Sequence, residues 1–308
     1  MLQIYLPIAE MSVDALLLLT LGALVGFLSG LFGVGGGFIM TPLLIFIGVP
    51  PSVAVATQAN QLVGASVSGV LGYWRRRALD LKMGMVMQAG GVLGTGLGVY
   101  LFARLKALGH VDLAVSLLYV VFLGGVSSLM LSESAKKLLR GGRRLPASPR
   151  KLHRHTWLHG LPFKTRFPAS KLYISALLPA GIGFVAGVLV ATMGIGGGFL
   201  LVPAMIYILG MPTALVAGTS LFSIILTTAI ATFLQAVTNH SVDIMLAMLL
   251  LVGGVVGAQF GTRASVHLKG EQARALLALM VLAVAVKLAV DLVVPPIDLY
   301  SITPVERD

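Results

Sequence analysis

The sequence predicts an all-α polytopic membrane protein made of two inverted structural repeats. Three observations lead to this fold class: 57% of the 308 residues are apolar and only 11% are charged, ten apolar segments follow one another, and one glycine-rich motif occurs twice. An ordinary soluble domain has about 25% charged residues, which cover its surface. A disordered chain is poor in apolar residues. The composition therefore excludes both of these classes.

Ten apolar segments are separated by polar turns, with five on each side of a long basic stretch. The first five cover residues 14–32, 37–48, 53–73, 84–103 and 112–131, and the second five cover 174–193, 198–209, 213–237, 244–264 and 273–294. Eight of them are long enough, or nearly so, for a spanning helix of about 20 residues. At about 1.5 Å per residue, segments 37–48 and 198–209 reach little more than halfway across the hydrocarbon core.

The second group of segments repeats the first. Residues 33–42 (GVGGGFIMTP) align with residues 194–203 (GIGGGFLLVP), and Asp80 aligns with Asp243. This duplication predicts four regions, which are a first transmembrane repeat, a basic cytoplasmic linker, a second transmembrane repeat and a polar C-terminal tail. Their bounds are 1–131, 132–171, 172–294 and 295–308.

The basic residues predict how the repeats are oriented. The formal net charge is +11, and eleven of the 22 Lys and Arg residues lie between Lys136 and Lys171. Clustered Lys and Arg mark cytoplasmic loops. The first repeat has its basic loop, Arg75–Arg77, after its third segment, whereas the second repeat has its basic loop after its fourth. This shift favours inverted repeats, with both termini outside, over parallel repeats.

Inversion requires an odd number of membrane crossings in each half. Three spanning helices and one re-entrant pair satisfy this condition, with the pair formed by 14–32 and 37–48 in the first half and by 174–193 and 198–209 in the second. Full crossing by the short segments would give five crossings in each half, which is also compatible with inversion.

The repeated glycine motif is the first candidate for a binding site. Four glycines in five positions disfavour a helix interior, and broken backbone at membrane depth is tolerated only where it is buried in protein or lines a cavity. We expect each motif to be a break whose N–H groups, with the N-terminus of the following helix, face a polar site. A tight structural turn without a ligand is the alternative. The candidate substrate-binding residues of the motifs are Gly33, Gly35, Gly36, Gly37, Phe38, Gly194, Gly196, Gly197, Gly198 and Phe199.

Polar residues at the start of the third apolar segment of each half are the second candidate. Thr57 and Gln61 are four residues apart and share a helix face, as do Thr219 and Ser223. Polar groups in hydrocarbon need partners, so these side chains either line a substrate path or bond helix to helix. The further candidate substrate-binding residues are Thr57, Gln58, Asn60, Gln61, Thr219, Ser220 and Ser223.

Other features receive mainly structural assignments. Glycines four apart let helices approach closely, and three such ladders are present: Gly22, Gly26 and Gly30; Gly90, Gly94 and Gly98; Gly253, Gly257 and Gly261. Lys287 and Asp291 are expected to form a local ion pair or to reach the membrane surface, with a transport role as the alternative. His153, His155 and His159 have a spacing that suits a metal ion, although a solvated basic segment is favoured.

The sequence favours a protein that is not an enzyme and has no cofactor and no bound metal. The chain contains no cysteine, so thiolate ligands and nucleophiles are excluded. No Ser-His-Asp or paired-carboxylate arrangement suggests catalysis. Nucleic-acid binding is disfavoured because it needs a basic face on a folded module with aromatic stacking platforms.

The repeated motif resembles that of a known family. The resemblance is carried by residues 33–44 (GVGGGFIMTPLL) with their second copy, by Thr57 and by residues 218–221 (GTSL), and it extends over roughly 14–294. These residues resemble the TauE/SafE sulfite exporter family of membrane permeases, also called TSUP. The resemblance implies movement of sulfite, sulfonates, thiosulfate and related organic anions across the bacterial inner membrane. It also implies a central site at the glycine breaks and the polar residues that follow them.

We therefore expect a secondary transporter that holds a small sulfur-containing or organic anion at the midplane, through backbone amides of the glycine breaks and helix N-termini. A passive anion channel and a membrane scaffold without transport activity are the alternatives. The expected partners are a small anionic substrate and the lipid bilayer, with a coupling ion (proton or sodium) and a second copy in a homodimer as further candidates. The predicted location is the bacterial inner membrane.

Overall fold

The computed structural model of the chain describes residues 3–139, 162–266 and 270–293. The first half contains β1 (Gln3–Leu6), β2 (Met11–Asp14), α1 (Ala15–Phe32), α2 (Gly37–Phe46), α3 (Pro51–Arg75), α4 (Leu81–Ala107) and α5 (Val111–Leu139). The second half contains β3 (Lys164–Phe167), β4 (Leu172–Ser175), α6 (Leu177–Met193), α7 (Gly198–Tyr207), α8 (Thr213–Leu234), a π-helical turn (Gln235–Asn239), α9 (Ile244–Ala264) and α10 (Gly270–Val293). Both halves therefore have the same order of elements.

The all-α polytopic fold class is confirmed. Among the described residues, five helices are long and apolar enough to cross a membrane: α1, α4, residues 111–128 of α5, α8 with its π-helical turn, and α9. Helix α3 has 25 residues, but the polar side chains near its start lower its hydropathy. The helices begin where the sequence offers caps, since the carboxylates of Asp14, Asp80 and Asp243 accept hydrogen bonds from the first turns of α1, α4 and α9.

Each half begins with a β-hairpin that was not predicted. Strands β1 and β2 pair antiparallel, with Gln3 opposite Asp14, and β3 pairs with β4 in the same way, with Lys164 opposite Ser175. Four-residue strands are too short for an alternating pattern to identify them. Strand β3 lies inside the region expected to be linker, β4 begins directly after that region, and α5 continues into it to Leu139.

The glycine ladders pack the first helix of each half against the fourth helix of the other half. A Cβ atom on Gly26 of α1 would lie 2.2 Å from the carbonyl oxygen of Gly254 in α9, and one on Gly94 of α4 would lie 2.0 Å from that of Phe184 in α6. Such distances leave room only for glycine. The predicted packing role of the ladders is confirmed, and the two halves are interlocked through the pairs α1–α9 and α4–α6.

The short helices α2 and α7 start in the middle of the molecule. Helix α2 then runs back to the end of the molecule where α1 started, since a Cβ atom on Gly48 would lie 3.5 Å from the Met11 Cε. This course fits a re-entrant pair better than a full crossing. The inverted orientation of the halves stays a prediction, and the cross-half pairing of the helices supports it.

A buried aspartate joins each hairpin to the other half of the chain. The Asp80 carboxylate accepts hydrogen bonds from the Met83 N–H (3.0 Å), the Ser170 N–H (3.0 Å) and the Ser170 hydroxyl (2.7 Å). Its backbone N–H donates to the Thr219 hydroxyl (2.8 Å). Asp80 thus connects the start of α4, the β3–β4 hairpin and α8 at one end of the molecule, the β3–β4 end.

Asp243 makes the equivalent connection at the opposite end, the β1–β2 end. Its carboxylate accepts hydrogen bonds from the Leu246 N–H (3.1 Å) and the Ile8 N–H (3.0 Å), and its own N–H donates to the Thr57 hydroxyl (2.9 Å). Asp80 and Asp243 are almost completely buried. Each therefore acts as a clamp between an N-cap of one half and a hairpin of the other.

Two remaining predictions concern charged and histidine side chains. The expected local ion pair is present, with 3.8 Å between the Lys287 Nζ and an Asp291 carboxylate oxygen, and both side chains are about half exposed. The Lys287 ammonium also lies 3.4 Å from the centre of the Phe46 ring. The candidate metal ligands His153, His155 and His159 lie outside the described residues, as does the C-terminal tail.

Candidate functional site

The two glycine breaks meet at the centre of the molecule. A Cβ atom on Gly37 would lie 2.5 Å from the Gly194 carbonyl oxygen, and one on Gly198 would lie 2.2 Å from the Val34 carbonyl oxygen. Gly35 faces the Ile224 side chain, which lies near the middle of α8. The sequence prediction that both motifs interrupt helices is confirmed, and the structure brings the interruptions into direct backbone contact.

Positive backbone dihedrals explain why these positions are glycine. Gly33 and Gly194 end α1 and α6 with φ of 70° and 68°, and Gly36 and Gly197 precede α2 and α7 with φ of 67° and 60°. Left-handed conformations are unfavourable for residues with a Cβ atom. The motif therefore reverses the chain within four residues and places the N-termini of α2 and α7 at the centre.

The phenylalanines after the breaks contact each other. Phe38 and Phe199 are fully buried, and their rings stack with 5.1 Å between centroids and 22° between planes. The sequence singled them out as candidate substrate-binding residues. In the structure they occupy the space between the starts of α2 and α7, so that region is filled by side chains.

Gln58 on α3 is the polar side chain next to both breaks. It is fully buried, and its Nε2 atom lies 2.8 Å from the Cβ positions of Gly37 and Gly194. Neither the Nε2 nor the Oε1 atom has a hydrogen-bond partner within the described part of the chain. Burying an amide without partners is unfavourable by a few kcal/mol, so such a group in a native protein requires an explanation.

Other side chains around the first break also have unused hydrogen-bonding capacity. The Gln61 Nε2 donates to the Gly22 carbonyl (3.3 Å), but its Oε1 atom has no partner among the described residues. The hydroxyl of Ser29, near Gly36, is likewise buried without a partner there, as is that of Ser66 further along α3. Asn60 is only partly buried.

The equivalent positions of the second half are satisfied. Ser220, which aligns with Gln58, donates to the carbonyl oxygens of Gly33 and Ala217. Ser223, which aligns with Gln61, donates to the Ser220 carbonyl (2.8 Å). The polar groups of α8 therefore bond within the protein, whereas those of α3 leave donors and acceptors unused.

The hydroxyls of the two candidate threonines are bonded to the residues of the aspartate clamps. The Thr57 hydroxyl accepts the Asp243 N–H, and the Thr219 hydroxyl accepts the Asp80 N–H and donates to the Leu215 carbonyl (2.7 Å). The structure thus bonds both hydroxyls in the aspartate clamps, whereas the residues that follow them, Gln58 and Ser220, lie against the glycine breaks.

A narrow cleft with no room for a water molecule lies beside the second break. Its walls include the Ser223 and Thr227 hydroxyl-bearing side chains together with Gly91, Gly183 and Gly187. The aligned place in the first half contains the Gln61 side chain, whose Cγ lies 2.9 Å from the Cβ position of Gly254. In the second half the Thr227 side chain lies against the aligned glycine instead, with its Cγ2 atom 2.3 Å from the Cβ position of Gly91.

Three side chains that bind the carbonyl ends of α1 and α6 were missed by the sequence analysis. The Tyr73 hydroxyl donates to the Gly30 carbonyl (2.9 Å), the Gln235 Nε2 donates to the Ala191 carbonyl (2.8 Å), and the buried Tyr119 hydroxyl donates to that of Met193 (2.6 Å). Single polar side chains at the ends of apolar segments, or one tyrosine within a segment, carry no pattern that identifies such partners.

The centre of the molecule is chemically neutral. The side chains that surround the breaks are amides, hydroxyls, aromatic rings and aliphatic groups. In the described part of the chain no group of three or more His, Asp or Glu residues is arranged to hold a metal ion. The arrangement can bind a small polar ligand through hydrogen bonds and the dipoles of helix N-termini.

Comparisons with known proteins agree with this architecture. Residues 18–288 match the family described as "Sulfite exporter TauE/SafE". The chain is 30% identical to the "Probable membrane transporter protein YjnA" of Bacillus subtilis, over 90% of this chain and all of that protein. It is 26% identical to "Probable membrane transporter protein YunE" of the same organism, over 80% of this chain and 86% of that protein.

A plant protein is similar over a shorter region. The "Sulfite exporter TauE/SafE family protein 3" of Arabidopsis thaliana is 30% identical over 110 residues, which are 35% of this chain and 23% of that protein. No solved structure shows a significant match to the chain. Because the family match spans nearly all of both repeats, the chain belongs to the sulfite exporter TauE/SafE family, a family of multi-pass membrane transporters.

Proposed function

We propose that the protein is a secondary transporter that moves small sulfur-containing or organic anions, of the sulfite, sulfonate and thiosulfate class, across the bacterial inner membrane. The family description and the names of the relatives support membrane transport. In the proposal the anion is held at the midplane, where the glycine breaks meet.

The observation that carries this site is the unpartnered amide of Gln58. It lies against Gly37, the first residue of α2, and against Gly194, the residue that ends α6. A helix N-terminus has a partial positive charge of roughly +0.5 elementary charges, which favours an anion nearby. A free amide N–H group beside it adds a neutral donor. The carbonyl end of α6 at Gly194 has the opposite partial charge, so the two donor features give an anion moderate attraction at membrane depth without a buried cation.

A neutral site also suits a transporter because it releases what it binds. Conduction and transport both require binding that is favourable enough for entry and weak enough for exit. Backbone dipoles and amide groups provide moderate attraction, whereas a buried Arg or Lys would hold an anion more tightly.

The direct contact between the breaks favours alternating access over a passive channel. Phe38 and Phe199 are stacked, and the glycine backbones touch, so an anion reaches Gln58 only when the breaks separate. In the proposed cycle one repeat bundle rocks against the other and opens the site to one side at a time. The β3–β4 end, next to Arg75–Arg77, faces the cytoplasm in this proposal, and the β1–β2 end faces outside.

Replacement of Gln58 by leucine tests the site. The full chain is purified, reconstituted in lipid vesicles and assayed for uptake of radiolabelled sulfite, with Gln58→Leu compared with Gln259→Leu. Gln259 is an exposed residue of α9, so the same substitution there is the matched control. A hydrogen bond to a charged ligand is worth about 1.5–3 kcal/mol. Gln58→Leu should therefore lower the initial rate by about tenfold or more, and Gln259→Leu should leave it close to wild type.

The outcomes separate site and function. Sulfite uptake by Gln58→Leu at the wild-type rate would show that the anion is held elsewhere. Wild-type vesicles that take up none of sulfite, thiosulfate or taurine would reject anion transport itself. Uptake that rises in proportion to substrate concentration without saturating would identify a channel.

A further inference from the structure

We infer that the central site takes its oxyanion in a singly charged form that carries a proton, as hydrogen sulfite and not as the sulfite dianion. This inference rests on the proposed function and concerns the same site. It follows from the hydrogen-bonding groups that α3 leaves unused and from the charge of their surroundings.

The first step concerns the acceptors around the first break. The Oε1 atoms of Gln58 and Gln61 are buried without a donor from the described residues. An amide oxygen can only accept a hydrogen bond. The Gln61 Nε2 donates to the Gly22 carbonyl oxygen, which fixes the orientation of the amide and leaves the Oε1 without a partner. For Gln58 both amide atoms are free, so one acceptor is unused whichever way the amide is turned.

The second step asks which ligand satisfies such a site. A fully deprotonated oxyanion has acceptor oxygens only. It would accept from the Gln58 Nε2 but would leave the amide oxygens unpaired, and its own oxygens would repel them. An unsatisfied buried acceptor is unfavourable by about 1–3 kcal/mol. A ligand with both acceptor oxygens and an O–H or N–H group satisfies the donor and an acceptor together.

The third step concerns charge. Transfer of an ion out of water costs an electrostatic free energy that rises with the square of its charge, so a dianion costs about four times as much as a monoanion of the same size. The side chains that contact the breaks are neutral: Gln58 at Gly37 and Gly194, Ser29 and Val25 at Gly36, and Val190 and Ile224 at Gly197. The positive ends of α2 and α7 are opposed at the breaks by the negative carbonyl ends of α1 and α6, so little positive charge is left to compensate a second negative charge.

A hydroxyl near the first break is compatible with this ligand. Ser29, whose Cβ lies 3.2 Å from the Cβ position of Gly36, is buried without a described partner, and a hydroxyl both donates and accepts. The second half provides no comparable set of free groups, because Ser220 and Ser223 donate to backbone carbonyls. Only the first break therefore provides both the free donor and the free acceptors that a protonated monoanion can use.

Uptake by wild-type protein in lipid vesicles at different pH values tests the inference, with equal pH on both sides of the membrane. In one series the total sulfite concentration is constant while the pH crosses the range where hydrogen sulfite loses its proton. In the other series total sulfite is raised with pH so that the concentration of hydrogen sulfite is constant. Concentrations are kept below saturation. The first series should show a fall in initial rate that approaches about tenfold per pH unit, and the second should show a constant rate.

The second series is the internal control for effects of pH on the protein. A rate that rises with the dianion there, or that changes with pH while hydrogen sulfite is constant, overturns the inference. A flat first series overturns it as well, because both forms would then be carried equally. In each of these cases sulfite is still transported, so the proposed function stands. Absence of uptake at every pH would reject the proposed function instead.

Discussion

The two halves of the molecule share one scaffold but differ in the polarity of their third helices. Tyr73 of α3 binds the carbonyl end of α1, and Gln235, at the aligned place after α8, binds that of α6. At the breaks, however, α3 has Gln58 and Gln61 where α8 has Ser220 and Ser223. The first pair leaves acceptors unused, whereas the second pair is fully bonded to backbone.

This difference shows what duplication preserved and what it changed. Glycines with positive φ, helix caps and cross-half helix pairs occur in both halves, because each is needed to form the interlocked breaks. Unsatisfied polar groups reduce stability and are retained where a ligand uses them. The asymmetry therefore favours one anion site at the first break over two equivalent sites.

Loss of the aspartate clamps should give the largest effect on stability, and a similar one in both halves. Asp80→Ala removes a helix cap and the contacts with Ser170, and Asp243→Ala removes a cap and the contact with Ile8. Each variant should lose about 2–4 kcal/mol of unfolding free energy. Asp80→Ala should lose more, because the Ser170 hydroxyl is an additional donor. The unfolding temperatures of the two purified variants in detergent show which variant is less stable.

The Ser170→Ala variant is the control for this prediction. It removes the hydrogen bond from the Ser170 hydroxyl to the Asp80 carboxylate. When Ser170 is already alanine, Asp80→Ala should lower the unfolding free energy by an amount closer to that lost in Asp243→Ala. A lower unfolding temperature for Asp243→Ala than for Asp80→Ala would contradict the expectation that the carboxylate with more hydrogen bonds stabilises the fold more.

Alanine at the breaks should give an intermediate effect that differs between the halves. Both Gly36 and Gly197 have positive φ, which costs an alanine about 1–2 kcal/mol. A Cβ atom on Gly36 would also lie 3.0 Å from the Val25 carbonyl oxygen, whereas one on Gly197 meets only side-chain atoms, at 3.2–3.3 Å. Gly36→Ala should therefore unfold at a lower temperature than Gly197→Ala. Equal unfolding temperatures would mean that the first break is not the tighter one.

The smallest effects on the free energy of unfolding should differ between the aligned positions 58 and 220, with a loss at position 220 only. Ser220→Ala removes hydrogen bonds to Gly33 and Ala217 and should lower the unfolding free energy by about 1 kcal/mol. Gln58→Leu removes an amide without partners, so stability should be unchanged or rise by up to about 1 kcal/mol. Denaturation in detergent without substrate measures both changes. A clear loss of stability in Gln58→Leu would show that its amide is bonded in the protein.

Most of the fold could be predicted from the sequence because apolar runs and their caps are local signals. Segment 244–264 has the bounds of α9, and the breaks at both glycine motifs were expected. Helix α5 extends beyond the predicted end because the Glu, Ala, Lys and Leu residues of 132–139 favour a helix, although its Ser, Glu and Lys residues end the apolar run. The hairpins were missed because strands of four residues carry no periodic signal.

The candidate site was predicted only in outline. Gln58 and Gln61 were among the candidates, since amides are rare and costly in an apolar segment. Thr57, Thr219 and Ser220 were also candidates, but their hydroxyls form hydrogen bonds with residues in the other half of the chain. Contacts between residues so far apart depend on the packing of whole helices, which no local pattern reveals.

The exchange of helices between the halves sets the order in which the protein is completed during synthesis. Helix α1 and the β1–β2 hairpin are made first, yet their partners, α9 and Asp243, emerge more than 200 residues later. Until then the glycine seam of α1 has no helix to pack against. A nascent chain that stops before Ile244 leaves this first-made segment without its packing partner.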